Sequence, residues 1–105
     1  MKDLGELMQQ MQEVQQRMQR MQQELETAEV EGEAGGGLVR VVMNGKGEVR
    51  NVSIDASLLK PEEKEIVEDL LVAALGKAKE RMEEMVAEKM REATGGLPLP
   101  PGFSL

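Results

Sequence analysis

The chain has 105 residues, a formal net charge of −7 at neutral pH, and no Cys, His, Trp or Tyr. A chain of this length fits one domain, and because it buries only a modest fraction of its surface, we expect a second copy to complete its core. The absent residue types exclude disulfides, Cys or His nucleophiles and a Ser-His triad, and they remove the usual ligands of structural zinc.

Residues 3–28 are predicted to form one helix. Their apolar residues recur at alternating spacings of three and four, which is the a and d pattern of a coiled-coil heptad, and Gln occupies most of the other positions. This heptad seam consists of Leu4, Leu7, Met11, Val14, Met18, Met21, Leu25 and Ala28. We expect it to pack against the second helix of the same chain for most of its length, with pairing between chains as the alternative.

Residues 29–55 change to a period of two, which is typical of β-strands. The predicted strands and the turns between them are, in chain order, 29–34, Gly35–Gly37, 38–43, Asn44–Gly47 and 48–55. Glu29, Glu31 and Glu33 alternate along the first strand, which suits the edge of a sheet. Because both turns are rich in Gly and suit tight reversals, we predict a three-stranded antiparallel meander.

A second helix is predicted over residues 61–94. Pro61 suits its first turn, Glu62 and Glu63 favour the positive end of the helix dipole, and Gly95-Gly96 ends it. At 1.5 Å per residue this helix is roughly 50 Å long, whereas strands commonly span roughly 17–20 Å. Only its first half can therefore lie on the sheet, and we expect its second half to project and pair with the first helix.

Three smaller features accompany the second helix. Ser57 is predicted to cap a short turn at Leu58-Leu59. Gly76 lies inside the helix, where it costs about 1 kcal/mol relative to Ala, and we interpret it as a close helix contact, with a hinge as the alternative. Residues 97–105 form a predicted Pro-rich, flexible tail, so that a single α+β domain covers residues 1–96.

The sequence contains no motif that carries catalysis or holds a cofactor. Gly32 and Gly37 have the spacing of a phosphate-binding loop, but Leu38-Val39 stands where Lys followed by Ser or Thr is required. No calcium-binding loop is present, and adjacent acidic pairs such as Glu83-Glu84 do not share a helix face. We therefore predict that the protein is not an enzyme and takes no metal, cofactor or small-molecule substrate.

The distribution of apolar residues also indicates where in the cell we expect the protein. Polar helix follows Met1 directly, without an apolar stretch of signal-peptide length. No run approaches the roughly 18 apolar residues of a membrane span. We therefore expect a cytoplasmic protein with no membrane partner.

Four segments, none of them diagnostic alone, together form a specific pattern. They are Met8-Gln9-Gln10-Met11-Gln12, Gly32-Glu33-Ala34-Gly35-Gly36-Gly37-Leu38-Val39, Val52-Ser53-Ile54-Asp55 with Ser57-Leu58-Leu59, and Leu99-Pro100-Pro101-Gly102-Phe103. In this order they resemble the YbaB/EbfC family of bacterial nucleoid-associated DNA-binding proteins, and the resemblance covers almost the whole chain.

This resemblance implies an α-β-β-β-α chain that dimerises through its sheet and projects its paired helices from the homodimer as arms. It also implies binding to double-stranded DNA and association with the nucleoid. No residue-level motif for DNA contact carries over from the family. The candidate dimer interface is the apolar set on the predicted strands, namely Val39, Val41, Met43, Val52 and Ile54.

The basic residues of the two helices are the candidate DNA contacts. Without the resemblance they are ordinary solvated partners of ion pairs, and with it they become candidate phosphate contacts. They are Arg17, Arg20, Lys77, Arg81, Lys89 and Arg91. The start of the second helix, from Glu62 to Asp69, holds five acidic residues and one Lys, so charge is distributed unevenly along the helix.

Taken together, these patterns predict a protein that binds double-stranded DNA, mainly through phosphates and with little sequence specificity. Phosphate contacts carry no direct sequence information, and a chain with one aromatic residue is poorly equipped to stack on bases. The alternative is a protein–protein adaptor that uses its Met-rich helical seams and its Pro-rich tail. The two functions differ in their salt dependence, which is steep only for DNA.

Overall fold

The computed structural model describes residues 3–94, so the predicted tail at 97–105 lies outside the described residues. The elements in chain order are helix α1 (Leu4–Thr27), strands β1 (Glu29–Ala34), β2 (Val39–Asn44) and β3 (Val49–Ile54), and helix α2 (Lys64–Thr94). Two short 3₁₀ turns, Ala56–Leu58 and Pro61–Glu63, join β3 to α2. The predicted α-β-β-β-α order is confirmed, and the element boundaries differ from the predicted ones by at most three residues.

The strands form one antiparallel sheet in the order β1-β2-β3, which confirms the predicted meander. Val41 on the central strand lies opposite Gly32 on β1 and Val52 on β3, so these residues share one face of the sheet. Helix α2 lies across this face over β1 and β2. The buried cluster between helix and sheet consists of Ala34, Val39, Val41, Met43, Leu58, Ala74 and Ala78.

The backbone of α2 approaches β1 most closely at Gly32. A Cβ atom on Gly32 would lie 2.2 Å from the carbonyl oxygen of Ala74 and 2.4 Å from the backbone nitrogen of Ala78. Both alanines are fully buried, and their small side chains allow helix and sheet to approach so closely. Gly32 therefore sets the distance between helix and sheet, and no other residue type fits there without moving one of them.

Beyond the sheet, α2 packs antiparallel against α1. Met21 and Leu25 of α1 and Ala93 of α2 form a second buried cluster, with Met85 and Met90 partly buried around it. This arrangement confirms that the first half of α2 covers the sheet and its second half pairs with α1. We call α1 together with residues 82–94 of α2 the arm.

The arm also corrects the prediction that the heptad seam is covered for most of its length. Met21 and Leu25 are 3% and 2% exposed, whereas Leu4 and Met11 on the same seam are 71% and 63% exposed. The seam keeps its heptad spacing throughout, so the difference in exposure depends on whether α2 lies beside it. Because α2 spends its first half on the sheet, too little of it remains to cover the beginning of α1.

The base of α1 is held against the β2–β3 hairpin by Asn44, a fully buried polar residue. Its side-chain amide donates to the carbonyl of Glu26 at 3.1 Å and to the carboxylate of Glu48 at 2.8 Å, while its oxygen accepts from two backbone N–H groups of the turn. The backbone N–H of Gly45 also donates to the Leu25 carbonyl at 2.7 Å. A buried side chain with all its polar atoms paired fixes where α1 leaves the sheet.

Two local expectations are wrong. The cap of the first 3₁₀ turn is Asp55 rather than Ser57: the Asp55 carboxylate accepts from the hydroxyl of Ser57 at 2.7 Å and from its N–H at 2.9 Å, and these bonds lower the pKa of Asp55. Gly76 makes no close contact, because a Cβ built there meets nothing within 4 Å. Both features depend on which atoms lie near Ser57 and Gly76 in the folded chain. Residue type alone does not reveal them.

We expect Gly32→Ala and Gly76→Ala to have opposite effects on stability. The first forces α2 away from β1 and should lower the free energy of unfolding by about 1–3 kcal/mol, as overpacking does. The second adds a methyl group in open space within a helix and should raise it by about 0.5–1 kcal/mol. Urea unfolding followed by circular dichroism measures both, and equal effects of the two variants would contradict the close contact at Gly32.

Candidate nucleic-acid interface

Three of the six predicted basic residues gather around one cleft in the arm. The cleft lies between α1 and α2, and its volume is about 130 Å³. Arg17 and Arg20 reach it from α1, and Lys89 reaches it from α2. Glu24 and Glu92 line the same cleft, so acidic groups partly offset its positive charge.

Arg17 and Arg20 are the most available cations of this cleft. They lie three residues apart on α1, which places them on neighbouring turns, and both are exposed. Within residues 3–94, neither guanidinium makes a hydrogen bond or an ion pair. Their donors therefore remain open to an external anion, and a guanidinium can bind phosphate through two parallel hydrogen bonds.

Lys89 and Arg91 are engaged in ion pairs within the arm. The Lys89 ammonium lies 3.3 Å from a carboxylate oxygen of Glu24, and the Arg91 guanidinium lies 2.9 Å from one of Glu88. The Lys89–Glu24 pair joins α2 to α1, whereas the other pair lies within α2. Such solvent-exposed pairs contribute little to stability, so a stronger anion could displace the carboxylates.

Lys77 and Arg81 lie on a different part of the molecule. Both belong to the part of α2 near the sheet, and the Arg81 guanidinium donates a hydrogen bond to the backbone carbonyl of Glu31 on β1. Arg81 therefore helps to hold α2 on the sheet edge. Lys77 is exposed one turn earlier on the helix. The structure thus divides the six predicted residues into an arm group of four and a body group of two.

One further cation stands near the arm. Lys46, at the tip of the β2–β3 hairpin, lines a cleft of about 380 Å³ together with Gln22 and Leu25 of α1 and Met82 and Val86 of α2. Its position between two glycines predicts only a turn residue. Its place at the base of the arm arises from the docking of Asn44 onto α1, which local sequence does not reveal.

The predicted dimer residues divide into a buried group on β2 and a less buried group on β3. Val39 and Val41 have no exposed area and Met43 is 6% exposed, because α2 covers their face of the sheet. Side chains without exposed area in the single chain leave nothing for a second copy to cover. Val52 is 44% exposed and Ile54 is partly buried on β3, so among the five predicted residues these two retain the most surface that a second copy could cover.

The described part of the chain offers neither a metal site nor a membrane-spanning helix. Residues 3–94 contain no group of three or more acidic side chains placed to hold a metal ion. No described helix is long and apolar enough to cross a membrane.

Comparison with known proteins connects this geometry to a family. The model of the YbaB/EbfC DNA-binding family matches residues 1–97. A nucleoid-associated protein of Rhodospirillum rubrum is 50% identical over 105 residues, which cover 100% of this chain and 98% of the relative. One from Agrobacterium fabrum is 52% identical, again over 100% of this chain and 98% of the relative.

The fold has a counterpart among solved structures. The crystal structure of an uncharacterized protein from Helicobacter pylori matches with a TM-score of 0.77 at 26% sequence identity. The match covers 90% of this chain and 100% of that one. The α-β-β-β-α architecture is therefore shared with a relative of lower sequence similarity.

Proposed function

Because this chain belongs to the YbaB/EbfC DNA-binding family, which is not a family of enzymes, we propose that it binds double-stranded DNA at the bacterial nucleoid as a homodimer. In this proposal the arms contact DNA mainly through phosphates and with little sequence specificity. The single observation that carries it is the pair of exposed guanidinium groups, Arg17 and Arg20, that have no partner within residues 3–94.

The residue types of the arm favour phosphate contact over base reading. Guanidinium and ammonium groups bind phosphates on any sequence, so they supply affinity and register rather than discrimination. Residues 3–94 contain no aromatic side chain, since the single aromatic residue of the chain is Phe103. Without aromatic rings the described surface has no platform on which unpaired bases could stack, which favours duplex DNA over single strands.

A polyanion responds to the local field rather than to the net charge of −7, so the proposal depends on the charges around Arg17 and Arg20. Five acidic residues lie from Glu62 to Asp69, in the 3₁₀ turn before α2 and in the first two turns of α2. Helix α2 has 31 residues, so its two ends are roughly 45 Å apart. That distance exceeds the Debye length of about 8 Å at physiological salt several times, so the acidic end scarcely affects the cleft. The arm has eight Glu of its own against four Arg or Lys, so we expect its affinity for DNA to depend strongly on salt.

The edges of the sheet favour dimerisation through β3. Within the described chain, β1 and β3 each have a pairing partner on one side only. The β1 edge carries Glu29, Glu31 and Glu33, and charged residues protect an edge from pairing. By contrast, β3 presents Val49 and Val52, which are 47% and 44% exposed. We propose that β3 of a second copy pairs with β3 and that each copy contributes one arm.

A protein–protein adaptor is the alternative function. The observation in its favour is the exposed beginning of the heptad seam, where Leu4, Leu7 and Met11 are each at least half exposed. Apolar capture of a partner helix would depend little on salt and would survive nuclease treatment. DNA binding would be weakened by salt and abolished by nuclease.

Replacing both Arg17 and Arg20 with Ala should weaken binding to duplexes of unrelated sequence to a similar extent. If each guanidinium contacts one phosphate, the slope of log affinity against log salt should become shallower by roughly two. Electrophoretic mobility shift at several salt concentrations measures both quantities. The control is the double variant Lys60→Ala with Lys64→Ala, which removes the same charge near the other end of α2 and should keep the parent slope. Equal losses in the two variants would remove the arm cations from the DNA site.

The variant Glu24→Gln should tighten DNA binding. It releases Lys89 from its ion pair and removes an acidic group from the cleft, so one further phosphate contact should steepen the salt slope by roughly 0.9. Glu62→Gln makes the same change in net charge at the acidic end of the molecule and is the matched control. Unchanged or weaker binding by the Glu24 variant would contradict a role for this cleft.

Dimerisation through β3 predicts that Val52→Asp produces monomers. The two-fold axis would bring the new carboxylates near each other across the paired strands, where like charges repel. Sedimentation equilibrium should show the mass falling from twice 11.6 kDa to 11.6 kDa. Val14→Asp is the matched control, because both valines are 44% exposed but Val14 lies on the arm. A dimer that survives the Val52 variant, or dissociates equally in both, would contradict this interface.

A further inference from the structure

We propose that residues 97–103 of the chain dock onto the uncovered beginning of the heptad seam in α1 of the same chain. We call this uncovered stretch the open seam; it consists of the seam residues Leu4, Leu7, Met11 and Val14 together with the adjacent Met8. The proposal does not depend on DNA binding or on the dimer, and it concerns how the arm buries its own apolar surface.

The open seam is an unusual surface for a solvated helix. Leu4 and Met11 are 71% and 63% exposed, and Leu7 and Met8 are 50% and 55% exposed. Met8 and Met11 also line a shallow cleft of about 240 Å³. Contiguous exposed apolar residues that continue a buried seam without a change of register indicate a surface that something covers.

The described end of α2 lies close to this surface. Helix α2 ends at Thr94, and Ala93 packs against Met21 and lines the same cleft as Arg17. The chain therefore leaves α2 next to the point where the seam loses its helical partner. The next apolar residues along the chain are Leu97, Leu99 and Phe103.

The composition of this segment fits an apolar groove. Residues 97–103 read Leu97-Pro98-Leu99-Pro100-Pro101-Gly102-Phe103 and contain no charged side chain. The prolines oppose continuation of the helix and favour an extended conformation. Two preceding glycines, Gly95 and Gly96, allow the chain to change direction after α2.

The length of the segment also agrees with the length of the uncovered part of α1. The nine residues from Thr94 to Phe103 span about 28 Å in an extended polyproline conformation. Along α1, the distance from Met18 to Leu4 is about 21 Å, because the helix rises 1.5 Å per residue. The segment is therefore long enough to reach the beginning of α1, with Leu97 near Val14 and Phe103 near Leu4 and Leu7.

Docking within one chain is favoured over pairing with a second copy. A segment joined to α2 through two glycines has an effective concentration on the order of millimolar at the seam, which a separate chain does not reach in dilute solution. Covering the seam in this way would also keep the ends of the arms from associating with one another.

Phe103 makes this proposal testable, because it is the single aromatic residue of the chain and hence the single source of aromatic ring-current shifts. In the full-length protein labelled with ¹³C at methionine methyl groups, we expect ring-current shifts at Met8 or Met11 that vanish in Phe103→Leu. The methyl groups of Met85 and Met90, packed between α1 and α2, serve as internal controls and should not move. Identical Met8 and Met11 shifts in parent and variant would overturn the proposal.

Nuclear Overhauser effects from the Phe103 ring to methyl groups of Leu7 or Met11 then identify which chain supplies the segment. Mixing labelled protein with an excess of unlabelled protein should leave these effects at full strength per labelled chain if the contact lies within one chain. A decrease in proportion to the dilution would show that the ring belongs to another copy and would overturn docking within the chain. Absence of the effects would likewise overturn it.

Discussion

The close approach of the α2 backbone to β1 at Gly32 is the constraint on which the rest of the structure depends. With no Cβ on Gly32 and only methyl groups on Ala74 and Ala78, the helix lies directly on the sheet. This contact fixes the part of α2 that covers β1 and β2. It thereby also fixes the part that extends past the sheet, since a helix of 31 residues is much longer than a strand of six. The arm exists because that excess length finds α1.

Within residues 3–94, this division of α2 leaves two separate buried clusters, together with the two uncovered apolar surfaces on which our proposals rest. One lies along β3, whose outer edge α2 does not cover, and the other is the open seam of α1. Both follow from the same limitation, because one helix cannot cover a three-stranded sheet and a 24-residue helix at once. A second copy and the C-terminal residues are the occupants that we propose, and they differ because a strand edge has free backbone donors whereas a helix has none.

The arm is itself acidic, with eight Glu against four Arg or Lys in α1 and residues 82–94, so the proposed DNA binding depends on the few cations around its cleft. The acidic residues at the beginning of α2 lie far along the helix from Arg17 and Arg20, and salt screens charges over a much shorter distance. Within the arm, the cleft combines two cations without partners in the described residues and one that Glu24 holds. Affinity in such a site depends on a few local groups, so it can be adjusted by single ion pairs without changing the fold.

The sequence by itself determined the order of the elements, the approximate boundaries of both helices and all strands, and the family. These follow from the spacing of apolar residues and from turn glycines, which act over a few neighbouring residues. Only the tertiary structure decided that Val39 and Val41 lie beneath α2, that Arg81 is tied to Glu31, and that Arg17 and Arg20 remain available. It also decided at which point of the heptad seam α2 stops covering α1. Each of these depends on the distance between elements far apart in the chain, and the position of α2 on the sheet sets that distance.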